Sequence, residues 1–142
     1  MPTLRPTPQD FRWPVRVYYE DTDAGGVVYH ANYIKYLERA RTERLRALGF
    51  ELDELQRHEG IIFAVRSMQV DYLKPARFND ALSVSAELDQ VKSASLNFKQ
   101  TIFRATDEIV CEAAVRVVCL RADAFRPTAI PDILLQSLKN DL

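Results

Sequence analysis

The sequence is poor in cysteine and glycine and contains no long hydrophobic run. Of its 142 residues, two are Cys, four are Gly and seven are Pro, which excludes disulfide-rich, collagen-like and low-complexity chains. Charged residues interrupt every apolar run well before the ~18 residues that a membrane-spanning helix needs. The first residues also lack the basic and apolar segments of a secretory signal. We therefore expect a soluble, cytoplasmic protein whose two cysteines, Cys111 and Cys119, are reduced and buried.

An excess of charge of either sign is also lacking. Nineteen Lys and Arg residues balance 20 Asp and Glu residues, giving a formal net charge of −1. Because nucleic-acid binding needs a broad basic surface, the sequence argues against nucleic acid as a partner. The length fits one domain. Residues 1–12 contain three prolines and no apolar period, so we expect a poorly ordered lead-in followed by a single domain at 13–142.

The apolar residues change period along the chain and predict an α+β fold. A period of 3.6 over residues 30–48 predicts one long amphipathic helix, which Gly49 ends. A period of two predicts strands, and residues 131–138 are predicted to form a short second helix. The five predicted strands are 15–19, 61–73, 82–90, 95–104 and 109–121. One helix cannot cover both faces of a five-stranded antiparallel sheet, so we expect the chain to self-associate, most simply as a two-fold dimer.

The long helix carries charged residues among its apolar positions. Its predicted buried arc also contains Arg41 and Arg44, which is unusual for a core helix. A buried arginine needs a partner of opposite charge. We therefore expect Arg41 to pair with Glu38 or with an acid of the preceding loop. The apolar members of the arc are Tyr33, Ile34, Leu37, Ala40, Leu45 and Leu48.

Residues 19–33 hold the densest cluster of reactive side chains, with three acids, two glycines and one histidine between a strand and the long helix. The free amides at a helix N-terminus can polarise a carbonyl, and a carboxylate beside them could attack it or activate water. The alternative is that Asp21 and Asp23 cap turns. An EF-hand is excluded because Gly25 and Asn32 stand where calcium ligands belong. The acids also have no regular metal-ligand spacing with His30 or His58.

The Asp-x-Asp-x-x-Gly-x-Val-x-x-x-x-Tyr core from Asp21 to Tyr33, followed by residues 38–43, closely resembles the 4-hydroxybenzoyl-CoA thioesterase family. Within that family the sequence is most similar to the Tol-Pal-associated bacterial branch, and the resemblance covers residues 14–138. It implies a hotdog fold, in which an antiparallel sheet wraps around one long helix. It also implies an acyl-CoA thioesterase that uses neither a metal nor a redox cofactor and forms dimers or dimers of dimers.

The resemblance assigns three catalytic positions. Asp23 matches the family's catalytic carboxylate, which acts on the thioester as nucleophile or as base for water. His30 matches the position at the helix start whose backbone N–H polarises the thioester carbonyl, and Tyr19 matches a tyrosine that flanks the acid. Glu38 is a second candidate acid, because some related hotdog thioesterases carry their carboxylate on the central helix. Its structural alternative is a pairing with an arginine of the helix.

The resemblance also assigns substrate-binding positions and leaves two alternatives. Gly26 and Ala31 match positions that contact substrate, and Lys92 and Arg126 match positions that contact the phosphates of coenzyme A. Acyl carrier protein is an alternative carrier of the acyl group. The chain could instead be a non-catalytic module that binds acyl carrier protein or an envelope complex. A hotdog dehydratase is disfavoured because its histidine motif is absent. The preferred acyl chain cannot be derived from the sequence.

Overall fold

The strands and the long helix follow each other in the predicted order. The structure is a computed structural model that describes residues 11–142. Residues 1–10, most of the predicted lead-in, lie outside the described range. The elements are β1 (Arg12–Arg16), α1 (His30–Ala47), α2 (Leu52–Glu59), β2 (Ile61–Tyr72), β3 (Ala81–Ser85), β4 (Glu87–Val91), β5 (Ser95–Arg104), β6 (Glu108–Arg121) and α3 (Asp132–Asn140).

The sheet has six strands, and the prediction of five is wrong. All pairings are antiparallel in the order β1-β3-β5-β6-β2, and β4 pairs with the first half of β5 while β3 pairs with its second half. The predicted strand 82–90 is therefore broken at Ala86, which is fully buried. The Ser85 hydroxyl accepts a hydrogen bond from Thr101 N–H (2.8 Å), and its carbonyl accepts one from Gln100 Nε2 (3.1 Å). These bonds to β5 occur where the strand breaks.

The first strand lies three residues earlier than predicted. It begins at Arg12, which the prediction placed in the lead-in, and it ends at Arg16. Val17 still pairs through its backbone, but with Asn79 and Asp80 of the β2–β3 connection. The chain then forms a short 3₁₀ turn over Tyr19–Asp21, so the predicted end of the strand is wrong. This turn directs the chain into the loop that precedes α1.

Helix α1 packs against β1 and β3 with the face that its period predicts. Tyr33, Leu37, Ala40 and Leu45 are buried, but Ile34 is 37% exposed, so its assignment to the core is wrong. Gly49 adopts a left-handed conformation (φ +95°) just beyond the end of the helix, as predicted. Tyr36, which the prediction left out, is 1% exposed and contributes one of the largest buried side chains.

The buried arginines of α1 have partners other than the expected one. Arg41 Nη1 donates to the side-chain oxygen of Gln100 on β5 at 3.0 Å. It makes no ion pair within residues 11–142, so the expected pairing with an acid is wrong. Burial lowers the pKa of the Arg41 guanidinium, and the negative charge of Glu38 partly opposes this effect. Arg44 forms an ion pair with Asp141, next to the end of α3.

The two short helices pack against the sheet, α2 against β2 and α3 against β4. Helix α2 was not predicted, because its sequence is mostly polar and only Leu55 is buried. Helix α3 buries Leu134 and Leu138.

Cys111 and Cys119 both lie on β6 and are free and buried, as predicted, and burial raises their pKa to about 12 and about 11. No helix within residues 11–142 has the length and apolar character needed to cross a bilayer.

Candidate active site

The loop between β1 and α1 is closed by its own backbone around Asp23. The Asp23 N–H donates to the Val27 carbonyl at 2.9 Å, and the Gly26 N–H donates to the Asp23 carbonyl at 3.0 Å. Gly26 has φ +80°, a left-handed conformation that strains any residue with a Cβ. The turn therefore requires glycine at position 26, and it fixes the backbone of Asp23.

The Asp23 carboxylate lies over this turn and faces solvent. Its Oδ1 accepts a hydrogen bond from the Gly25 N–H at 2.8 Å. A Cβ at position 25 would lie 3.2 Å from the same oxygen, closer than ordinary van der Waals contact. A larger residue at position 25 would thus push on the carboxylate. Within residues 11–142, the second oxygen, Oδ2, accepts no hydrogen bond and is free to meet a substrate or a water molecule.

Asp21 has a different role, which is to attach the loop to α1. Its carbonyl accepts hydrogen bonds from the Tyr29 N–H at 2.9 Å and from Asn32 Nδ2 at 2.8 Å. Its carboxylate accepts one from the Tyr18 N–H at 2.8 Å. Burial, together with the nearby Asp21 carboxylate, raises the pKa of Tyr36. The turn-capping interpretation therefore describes Asp21, whose hydrogen bonds are structural, and also Oδ1 of Asp23, which accepts the hydrogen bond from Gly25. It does not account for Oδ2 of Asp23.

The start of α1 presents unpaired amides beside this loop. Tyr29 is the N-cap and provides no side-chain hydrogen bond. In the described part of the chain, the N–H groups of His30 and Ala31 donate no hydrogen bond. Such amides carry the positive end of the helix dipole, which favours a partial negative charge placed against them. The arrangement can stabilise an oxyanion.

Asp23 and His30 line one shallow cavity of about 310 Å³. The cavity lies between the loop, the first turn of α1 and the segment that follows β2. Its wall combines one carboxylate, one imidazole, one amine and two phenol rings with apolar groups, a mixture typical of small-molecule sites. The other residues that line it are Val27, Val28, Tyr33, Tyr72, Leu73, Lys74 and Pro75.

Two tyrosines build the back of the cavity. The Tyr72 hydroxyl donates to the His30 carbonyl at 3.2 Å, and its ring lies edge-on to that of Tyr33, with 5.4 Å between the centroids. The Tyr33 hydroxyl accepts a hydrogen bond from the Ala76 N–H at 3.0 Å. Burial raises the pKa of both phenols. The sequence analysis did not predict Tyr72 as a site residue. Its position at the end of a predicted strand, shortly before Pro75, was the one signal that could have indicated it.

Other predicted site residues lie outside this cavity. Tyr19 is 78% exposed and packs edge-on against Phe78, with 5.9 Å between the ring centroids. Gly26 and Ala31 shape the turn and the helix start without lining the cavity. Glu38 is exposed on α1, eight residues after His30 and so about 12 Å further along the helix axis. It borders a different cavity.

The two predicted phosphate contacts lie at the opposite end of the sheet. Lys92 lies in the β4–β5 hairpin, and Ser95 of that hairpin pairs with Val118 of β6. Arg126 lies close to the end of β6, because its carbonyl accepts a hydrogen bond from the N–H of Arg121. The site end of β6 is marked by Val110, whose carbonyl bonds to Leu73 and Lys74. Eight or more strand residues separate the two ends, roughly 26 Å. Within one protomer, the structure does not bring Lys92 or Arg126 to Asp23.

Two other cations lie close to the cavity. Lys74 lines it and forms a long ion pair with Glu108 at 3.5 Å. Arg77 is bridged through its backbone to Val27 in the Asp23 loop, and its side chain is exposed. Both could contact anionic groups on the part of a ligand that extends out of the cavity.

The chain resembles several known proteins over nearly its full length. It matches the thioesterase-like superfamily over residues 17–138. It is 47% identical over 129 residues to the acyl-CoA thioester hydrolase YbgC of Escherichia coli O6:H1, which covers 91% of this chain and 96% of that protein. It is 40% identical over 131 residues to the acyl-CoA thioesterase YbgC of Helicobacter pylori, with coverage of 87% and 96%.

A solved structure gives the same picture of the fold. The probable thioesterase of Bartonella henselae superposes with a TM-score of 0.81 at 31% identity, covering 85% of this chain and 98% of that one. The predicted α+β hotdog fold is therefore confirmed, with six strands in place of five.

Proposed function

The chain belongs to the thioesterase-like superfamily, and from this premise we propose that the cavity containing Asp23 and His30 is where it hydrolyses acyl-CoA. Thioesterase activity follows from the 47% identity to an acyl-CoA thioester hydrolase across nearly the whole of both chains. The location of the reaction in this cavity is the part that we propose. The observation that carries it is one cavity lined both by Asp23, whose carboxylate is accessible, and by His30, the first residue of α1.

The reaction needs a group that attacks the thioester carbonyl carbon or delivers water to it. As a base, Asp23 takes a proton from water while the water oxygen bonds to that carbon. The tetrahedral oxyanion then expels the thiolate of coenzyme A, which takes up the proton. As a nucleophile, Asp23 itself bonds to the carbon and displaces the thiolate, and water then hydrolyses the resulting anhydride. Both routes use the free Oδ2, and neither needs a metal or redox cofactor.

His30 acts through its backbone. The His30 N–H donates to the carbonyl oxygen as negative charge develops there. The imidazole packs against Tyr29, with 4.4 Å between the ring centroids.

The edge of β2 supports a two-fold dimer that completes this site. β2 is a twelve-residue strand at the end of the sheet order, and an unpaired edge of that length invites a second copy. Val65, Tyr72 and Leu73 on or beside it are exposed apolar residues. Because Lys92 and Arg126 are too far from Asp23 in their own protomer, they would hold coenzyme A phosphates at a partner's site. Tyr19 and Gly26 shape the entrance to that site.

We further propose that the chain belongs to the 4-hydroxybenzoyl-CoA thioesterase family and to its Tol-Pal-associated branch. The Asp21-to-Tyr33 core supports this proposal. Coenzyme A is the proposed carrier, and acyl carrier protein is the alternative, because few cations lie near the cavity.

The test is thiol release from short-chain, long-chain and aromatic acyl-CoAs by three proteins. Asp23→Asn keeps the size of the side chain and the bond from Gly25, so its loss is the loss of the carboxylate charge. Glu20→Gln is the matched control, because it removes an exposed acid from the same loop. We expect a loss of at least ~10² in kcat for Asp23→Asn and almost none for the control. Full activity of Asp23→Asn would place the chemistry elsewhere, with Glu38 the next candidate.

A further inference from the structure

A second cavity lies between α1 and the inner face of the sheet. Its volume is about 210 Å³, and its wall is largely aromatic and aliphatic. The apolar wall includes Phe63, Leu96 and Phe98, and the polar groups at its surface are Glu38, Arg41 and Thr42. Arg41 follows His30 by eleven residues, about 16 Å along the helix axis.

Arg41 is the unusual feature of this cavity. The residue is 8% exposed, and its one hydrogen bond within residues 11–142 is donated by Nη1 to the neutral side chain of Gln100. Gln100 donates its own amide protons to the carbonyls of Leu37 (2.9 Å) and Ser85 (3.1 Å). These bonds fix its oxygen against Arg41. Nε and Nη2 of Arg41 have no acceptor in the same range.

A buried guanidinium without a counter-charge is costly, and a carboxylate is the group that satisfies it best. Buried charges are normally paired, and the planar fork of an arginine matches the two oxygens of a carboxylate. Glu38 does not fill this role. It is exposed at the edge of the cavity and forms no ion pair with Arg41 in the described part of the chain. The bottom of the cavity therefore offers cationic N–H groups surrounded by apolar side chains.

We propose that this cavity binds a carboxylate attached to an apolar chain or ring, with the carboxylate on Arg41 and the hydrocarbon against Phe63, Leu96 and Phe98. Such acids are what thioester hydrolysis releases, and their identification as the reaction product rests on the proposed function. A free acid is one source of this group. The far end of a dicarboxylic acyl chain is the other.

The test is calorimetric titration with hexanoate and benzoate, alongside hexanamide and benzamide as uncharged matches. We expect the acids to bind the wild type at least roughly tenfold more tightly than the amides, since a hydrogen bond between two charged groups is stronger than one to a neutral amide. Arg41→Met should lose this preference. Arg39→Met, which removes an exposed cation of the same helix outside the cavity, should keep it. Thermal unfolding checks that each variant is folded.

A second variant keeps Arg41 intact. Leu52, at the start of α2, is 36% exposed at the edge of the cavity, so Leu52→Trp should block the entrance without disturbing the core and weaken acid binding by a similar factor. If the acids fail to bind the wild type, or bind Leu52→Trp and folded Arg41→Met as tightly, free acids are not the ligand.

The two sources of the carboxylate are separated by kinetics. If the acyl chain supplies it, the wild type should hydrolyse a dicarboxylic acyl-CoA with a higher kcat/KM than the matching monocarboxylic one, and Arg41→Met should lose that preference. Absence of both acid binding and this preference overturns the proposal. Titration of Asp23→Asn, which needs no turnover, should give wild-type acid binding, so a failure of the proposed function would be seen separately.

Discussion

Replacing His30 by proline removes one backbone amide from the start of α1 and nothing that supports the helix. Proline is favoured at the first helical position, because its missing N–H has no intrahelical partner there. The preceding residue, Tyr29, has φ −63° and ψ 135°, the extended conformation that a following proline requires. The His30 N–H donates no hydrogen bond within residues 11–142. We therefore expect His30→Pro to fold with nearly unchanged stability.

The expected loss is in the chemical step. Removing one donor from an oxyanion site costs about 10²–10³ in kcat, or about 2.7–4 kcal/mol of transition-state stabilisation. We expect a loss near the lower end of this range. His30→Ala is the matched variant, because it removes the same imidazole and keeps the amide. The ratio of the two kcat values isolates the backbone contribution.

The assay is steady-state thiol release with the best acyl-CoA, combined with thermal unfolding of each protein. We expect His30→Ala to retain most of the wild-type kcat and His30→Pro to fall about 10²-fold below it, with similar melting temperatures. A folded His30→Pro protein as active as His30→Ala would refute the role of this amide.

Three further predictions concern stability. Gly26→Ala places a Cβ on a backbone with φ +80°, so its unfolding free energy should fall by about 1–2 kcal/mol in urea denaturation; an unchanged midpoint would contradict the strain. Asp141→Asn leaves the buried Arg44 charge unpaired and should cost about 3–5 kcal/mol in the same assay; a loss below about 1 kcal/mol would mean a solvated pair. Arg104 lowers the pKa of Glu108 from its ordinary 4.5 to about 2, so this pair should stabilise the fold above pH 4.5 and lose that effect as pH falls towards 2. Between pH 4.5 and 2 the melting temperature of Glu108→Gln should therefore change less than that of the wild type. Identical profiles of melting temperature against pH would refute the contribution of this ion pair.

The order of the long helix and the main strands could be predicted because each has one buried face. The spacing of Leu37, Ala40 and Leu45 on α1 and the alternation on β6 reflect burial directly, and burial is what a period reports. The break at Ala86 could not be predicted in this way. Ala86 fits the alternation of its segment, and the strand ends there among hydrogen bonds from β5 that join residues distant in sequence.

The partner of Arg41 shows a second limit. The sequence indicates that a buried arginine needs a partner, but it favours nearby acids over a neutral amide. The actual partner, Gln100, is 59 residues away in the chain and is brought close by the packing of α1 on β5. No local pattern distinguishes such a glutamine from an exposed one.

The candidate site was partly predictable for the same reason. Asp23 and His30 flank one short loop, so the motif brings them together without knowledge of the fold. Tyr72 reaches the cavity from the end of β2, through a hydrogen bond to His30 that spans 42 residues. Lys92 and Arg126 lie in loops at the end of the sheet opposite to the Asp23 loop, a separation along β6 that no local pattern shows.

The most direct test of the role of Asp23 is the single-turnover rate of thiol release, measured with enzyme in saturating excess over acyl-CoA. Under these conditions the rate reports the bound complex and is independent of substrate affinity and product release. We expect Asp23→Asn to be slower than the wild type by at least ~10², with Glu20→Gln close to the wild type. A single-turnover rate for folded Asp23→Asn equal to that of the wild type would contradict the assignment of the chemistry to Asp23.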